Sequence, residues 1–94
     1  MAWAQRHDPL PSDWTARRRR TAMRAGWRCV APLEMGARCP EAGTDCDHII
    51  NARSAEGQAM GDAVHGFRNL QWLCEEHHRV KTLAEARAAK PIGP

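Results

Sequence analysis

The chain has 94 residues, a net charge of +3 with histidines neutral, four tryptophans, one phenylalanine, no tyrosine and four cysteines. That length allows one domain at most, with a core small enough to need help from a metal or disulfides. No stretch approaches the length needed to cross a bilayer. The first ten residues carry Arg6, His7 and Asp8 where a secretory leader would be apolar. The expected compartment is therefore the reducing cytoplasm, where cysteines near histidines bind metal more often than they form disulfides.

Residues 1–11, polar and bounded by Pro9 and Pro11, read as a flexible lead-in to a single domain over 12–94. Ser12 is placed to cap a helix, with Asp13 in its first turn and Gly26 as its stop. Trp14, Arg18, Ala22 and Ala25 fall near one face of that helix. Arg17, Arg18, Arg19 and Arg20 form a block, with Arg24 and Arg28 close behind. A polyanion fits this distribution, since arginine–phosphate contacts would supply most of the affinity. Taken alone, the run reads slightly better as a solvated helix face.

Between Gly26 and Gly43, Pro32, Gly36 and Pro40 mark loops, one of them bracketed by Cys29 and Cys39. Thr44 to Ile50 suits one strand of a hairpin. Asn51 to Arg68 holds Gly57, Gly61 and Gly66 without clear periodicity and is predicted to be a long, functional loop. Leu70 to Leu73 reads as a brief strand or turn. A helix is predicted from about Glu75 to Ala89, with Glu75 and Glu76 at its start, Arg87 and Lys90 near its end and Pro91 beyond.

Structural zinc prefers four ligands drawn from thiolate and imidazole. Cys74 and His77 are three apart at a helix start, so both reach one ion from the same side. Cys29 and Cys39 would close the site from the upstream loop, whose glycine and proline let its ends meet. Binding of this kind supplies on the order of 10 kcal/mol to a small fold. Cys46 is the spare thiol. It reads as a small core residue, and the Cys-x-x-His spacing ranks His77 above it as fourth ligand.

His78, one residue past His77, points about 100° away around a helix. It is free to face a second site. Asp47 and His48 likewise alternate across a strand. Asp47 and His78 are a reasonable pair for Mg2+, Mn2+ or another divalent ion. His48 titrates in the range needed to deprotonate a water near neutral pH. Trp27 and Trp72 are assigned to the core. His7 and His65 lie in loops and receive no role. Arg79 and Lys81 suit either phosphate contacts or a solvated helix face.

Asp47-His48, Asn69 and His78 resemble the Asp-His, Asn and His of HNH endonucleases. The likeness runs through "CDHII", "NLQWLC" and "HHRVKT", over roughly residues 27 to 83, and the cysteines are similar to those of the zinc-containing phage and bacterial branch. The resemblance implies an α+β fold: a small ββα-metal domain with an N-terminal helix, stabilised by a structural zinc. It implies Asp47 and His78 as ligands of the catalytic ion and His48 as general base. Asn69 would hold the loop and orient His48 by hydrogen bonding. The second zinc pair in that branch is usually Cys-x-x-Cys, where this chain has His77, and the Cys29–Cys39 pair is more widely spaced than usual. The implied activity is metal-assisted hydrolysis of DNA phosphodiesters with low sequence specificity. Arg17, Arg18, Arg20, Arg79 and Lys81 are the expected DNA contacts. Two alternatives compete with it: a non-catalytic zinc-stabilised DNA-binding module, and an accessory to phage packaging proteins.

Overall fold

Asp45–His48 (β1) and Leu70–Leu73 (β2) pair antiparallel, with Asp45 opposite Leu73 and His48 opposite Leu70. Three helices surround this ribbon in the computed structural model, which describes residues 10–89. They are Trp14–Arg24 (α1), Ala55–Ala59 (α2) and Glu75–Ala89 (α3). The class is α+β with a two-stranded antiparallel sheet. Most of the predicted lead-in, His7, and Lys90 and Pro91 fall outside the described residues. No helix among those described is long and apolar enough to cross a membrane.

Helix α1 begins one residue later than Ser12 capping would require. Asp13 holds the N-cap position but makes no side-chain cap bond. Its carboxylate instead accepts from Arg17 Nε at 2.9 Å. The C-terminus follows the expected glycine stop. Gly26 sits in the left-handed region at φ 67°. Trp27 N donates to Ala22 O at 2.8 Å and Gly26 N to Met23 O at 3.0 Å. This paired arrangement satisfies the last carbonyls of the helix and turns the chain toward Cys29.

The core is small and divided. Ala22 and Ala25 of α1 pack on Trp72 of β2, with Val30 and Cys46 at the margin. Cys29, Ala31, Cys39, Leu73 and Cys74 form the second cluster. Trp27 departs from its core assignment: it is 54% exposed and meets Trp72 edge-on at 6.3 Å. A left-handed backbone at Trp27 (φ 64°) carries its side chain outward.

Arginines do much of the joining. Arg17 donates to His65 O, Arg18 to Thr44 O, and Arg24 to Phe67 O and Leu70 O. These bonds tie α1 to the chain on either side of the ribbon. Arg18 also lies over the Trp72 ring, and Arg20 over Phe67.

The segment from Asn51 to Arg68 is more ordered than its glycines suggested. Ser54 accepts from Gly57 N at 3.0 Å and so caps α2. Two short 3-10 turns follow, at Gly61–His65 and Phe67–Asn69. Gly57 is buried against Asn51, where a methyl group would strike the Asn51 carbonyl.

Candidate functional site

Cys29 and Cys39 come together because the chain between them folds back on itself. Cys39 N donates to Ala31 O at 2.9 Å and Leu33 N to Ala37 O at 2.7 Å, around a tip with Gly36 at φ 80°. Arg28 donates to Cys39 O and Arg38 to Cys29 O, latching the two sides. Backbone bridging of this kind closes the wide gap between the two cysteines.

Cys74 and His77 meet that loop from the first turn of α3. The His77 Nδ1 is 3.2 Å from Cys74 Sγ and 3.6 Å from Cys29 Sγ. All four potential ligand atoms lie within 4.8 Å of one another. Ligands around a tetrahedral zinc stand roughly 3.5–3.8 Å apart, given Zn–S of about 2.3 Å and Zn–N of about 2.1 Å. The cluster is compatible with a structural zinc. The three cysteines are buried and His77 is half-buried.

The thiol chemistry points the same way. Burial works to raise the Cys29 pKa, but the backbone groups of Cys74 and Ala31 and the side chains of His77 and Cys74 outweigh it and bring it down to about 7. The Glu41 backbone favours a thiolate at Cys39, yet burial and the neighbouring Cys29 and Cys74 sulfurs push that thiol up. Neighbouring thiolates repel one another, and a bound cation would relieve that repulsion. Cys46 stands apart, half-buried against the Ala22–Trp72 cluster, and burial raises its thiol.

His78 turns away from this cluster toward β1. Its Nε2 lies 3.7 Å from Asp47 Oδ1 and its Nδ1 3.9 Å from Asp45 Oδ2. Asp47 is buried, and its other oxygen is taken. Gln71 Nε2 donates to Asp47 Oδ2 at 2.9 Å, and Lys81 Nζ lies 3.1 Å from the same atom. Lys81 also donates to His48 O and pairs with Glu85. Oδ1 is thus the oxygen directed at His78. Among the described residues, the cysteine–histidine set is the group of three or more potential ligands that converges. Asp47 and His78 offer two, so waters or a bound phosphate would have to complete any shell there.

His48 carries its ring to different partners. Trp14 of α1 stacks on it with centroids 5.4 Å apart and an interplanar angle of 11°. His65 Nδ1 lies 3.0 Å from His48 Nε2. Burial, with His65 next in strength, holds the His48 imidazole below its ordinary range, while Asp47 pulls the other way.

Asn69 is buried and acts on backbone. Its Oδ1 accepts from Ile50 N at 2.8 Å, and its Nδ2 donates to Ile50 O at 3.1 Å and Val64 O at 2.8 Å. The expected bond to the His48 ring is not what it makes. It fixes the chain just after His48 and the turn that presents His65.

The expected DNA-contacting residues divide. Arg17 is bonded to Asp13 and His65 O, Arg18 to Thr44 O, and Arg79 to Glu76 at 2.6 Å. Arg20 is exposed over Phe67, and Lys81 is half-buried at Asp47. An open groove lined by Asn51, Ser54, Gln58, Thr82 and Glu85 runs between α2 and α3. No spacing rule singled out His65 or Trp14, because their link to His48 is purely tertiary. No protein-family model, curated protein or solved structure matches this chain.

Proposed function

We propose that the chain is a metal-dependent endonuclease of the HNH type, with the ββα-metal arrangement, acting on DNA in the cytoplasm with low sequence specificity. The observation that carries this reading is the approach of Asp47 Oδ1 to His78 Nε2 at 3.7 Å, beside a half-buried His48 on the same strand. A zinc-stabilised scaffold needs only Cys29, Cys39, Cys74 and His77. It has no use for a buried carboxylate paired with a second histidine.

A divalent ion held by Asp47 and His78 would supply positive charge beside the scissile phosphate and the departing oxygen. The protein's own groups do the rest. His48, held neutral by burial, takes a proton from water as the water oxygen attacks phosphorus in line. The P–O bond to the departing 3′ oxygen breaks with its electron pair, and that oxygen is reprotonated by solvent. The Trp14 face stabilises the positive charge that His48 acquires. Asn69 keeps the backbone after β1 in place, and exposed Arg20 offers a phosphate contact.

One observation favours a second reading, the non-catalytic DNA-binding module. The Lys81 ammonium already neutralises Asp47, as it would in a protein that binds no cation there. Supercoiled plasmid incubated with the protein and Mg2+, Mn2+ or Ni2+, beside an EDTA control, separates the two. Nicking that requires the added ion supports the nuclease. Retarded but intact plasmid under every ion supports the module.

A further inference from the structure

We infer that His65 accepts a hydrogen bond from His48 Nε2–H and so holds His48 in the tautomer whose Nδ1 lone pair is free to receive a proton from water. The contact between the two rings rests on geometry, and the direction of the bond rests on the nuclease reading, which needs His48 as a base.

His48 Nε2 and His65 Nδ1 are 3.0 Å apart, with ring centroids at 5.1 Å and planes inclined by 67°. Two neutral imidazoles at that distance share one proton, so one nitrogen donates and the other accepts. If His65 were the donor, the His48 Nε2 lone pair would be spent on it and His48 Nδ1 would carry the proton. No lone pair would then be left for water. If His48 donates, Nδ1 is free. Only the second arrangement makes His48 a base.

The surroundings are built to keep this pair in register. Trp14 covers the flat face of His48 and meets His65 edge-on at 6.2 Å, so neither ring can swing away without leaving the indole. Arg17 Nη1 anchors the His65 carbonyl at 2.8 Å, and Asn69 Nδ2 anchors the neighbouring Val64 carbonyl at 2.8 Å. Arg17, remote in sequence, and the nearby Asn69 thus converge on the backbone that carries His65. His65 is a positioning residue: it acts through His48, as the orienting partner of a catalytic imidazole does.

The test compares wild type, His65→Phe and His65→Asn. Phenylalanine keeps the aromatic packing on Trp14 but cannot accept a hydrogen bond, whereas the asparagine carbonyl oxygen can. Zinc content and melting temperature establish that each variant folds. Two readouts follow: the His48 tautomer from long-range proton–nitrogen NMR correlations, and kcat and KM for plasmid nicking.

The expected wild-type signature is a His48 proton on Nε2, lost or mixed in His65→Phe and restored in His65→Asn. Nicking kcat should fall about 10- to 100-fold in His65→Phe with KM for DNA unchanged, and recover in His65→Asn. A wild-type proton on His48 Nδ1, or a His65→Phe variant that nicks at the wild-type kcat, overturns the inference. A wild type inert toward DNA that still shows the His65-dependent Nε2 proton overturns the nuclease reading and leaves the tautomer assignment standing.

Discussion

Asp47 Oδ1 on the strand and His78 Nε2 on the last helix lie 3.7 Å apart, and the residue before His78 belongs to a different cluster altogether. A helix separates successive side chains by about 100°. One turn therefore sends His77 to the cysteines and His78 to the carboxylate. The scaffold and the candidate chemistry are coupled through a single peptide bond.

The first expectation concerns the metal. Elemental analysis of purified protein should find one zinc per chain, held by Cys29, Cys39, Cys74 and His77. Its binding contributes on the order of 10 kcal/mol, comparable to the whole stability of a small domain. Stripping the zinc with a strong chelator, or making Cys74→Ser, should unfold the protein by circular dichroism. Cys46→Ser, outside the cluster, should leave zinc content at one. Zinc retained at full occupancy in Cys74→Ser would contradict the assignment.

Asn69→Ala removes three side-chain hydrogen bonds in a buried setting and strands Ile50 N, Ile50 O and Val64 O. Buried polar groups left unpaired cost about 1–3 kcal/mol each, with partial relief from water. A loss of about 3 kcal/mol in denaturant unfolding is expected. Asn69→Asp should be at least as damaging, because it turns a donor facing two carbonyls into an acceptor.

A dependence on pH follows from His48. Burial and the neighbouring His65 hold its imidazole below the ordinary histidine value of 6.5, so the folded state favours the neutral ring. The unfolded chain binds that proton more readily. The stabilisation is present in full above the unfolded value and is lost as pH falls through the folded one. Stability should therefore rise with pH across that acid window. Nicking should likewise decline as pH falls through that window, because protonated His48 cannot act as base. His48→Gln should flatten the stability change. A wild-type stability that rises on acidification would contradict the buried neutral ring.

Gly43 tests the packing of the ribbon on α1. A methyl group there would overlap the Trp72 indole, which is itself wedged against Ala22 and Ala25. Gly43→Ala should cost about 1–3 kcal/mol, the usual range for overpacking, seen as a lower denaturant midpoint. Zinc content should be unchanged. A midpoint equal to that of wild type would mean that Trp72 has room to move.

Local spacing carried much of this architecture. Cys74-x-x-His77 announces a shared ion, the acidic Glu75 and Glu76 mark the start of α3, and Gly26 stops α1 where a left-handed residue is required. What escaped was tertiary. The arginine run reads either as a polyanion-binding stretch or as a solvated helix face. Neither reading includes the bonds that Arg17, Arg18 and Arg24 donate to carbonyls distant in the chain, a pairing that no periodicity encodes. His65 looked like a loop histidine because its partner, His48, is reached only once Asn69 has folded the intervening segment. Helix α2 is hidden in the sequence by its short length and by Gly57.

The nuclease reading is tested most directly by single-turnover nicking of supercoiled plasmid by wild type and His48→Ala, each carrying one zinc and each shown to bind DNA. The expected result is ion-dependent nicking by the wild type and a loss of about 100- to 10,000-fold in His48→Ala with binding retained. A His48→Ala protein that nicks as fast as wild type, or a wild type that binds plasmid and leaves it closed under every divalent ion, would contradict it.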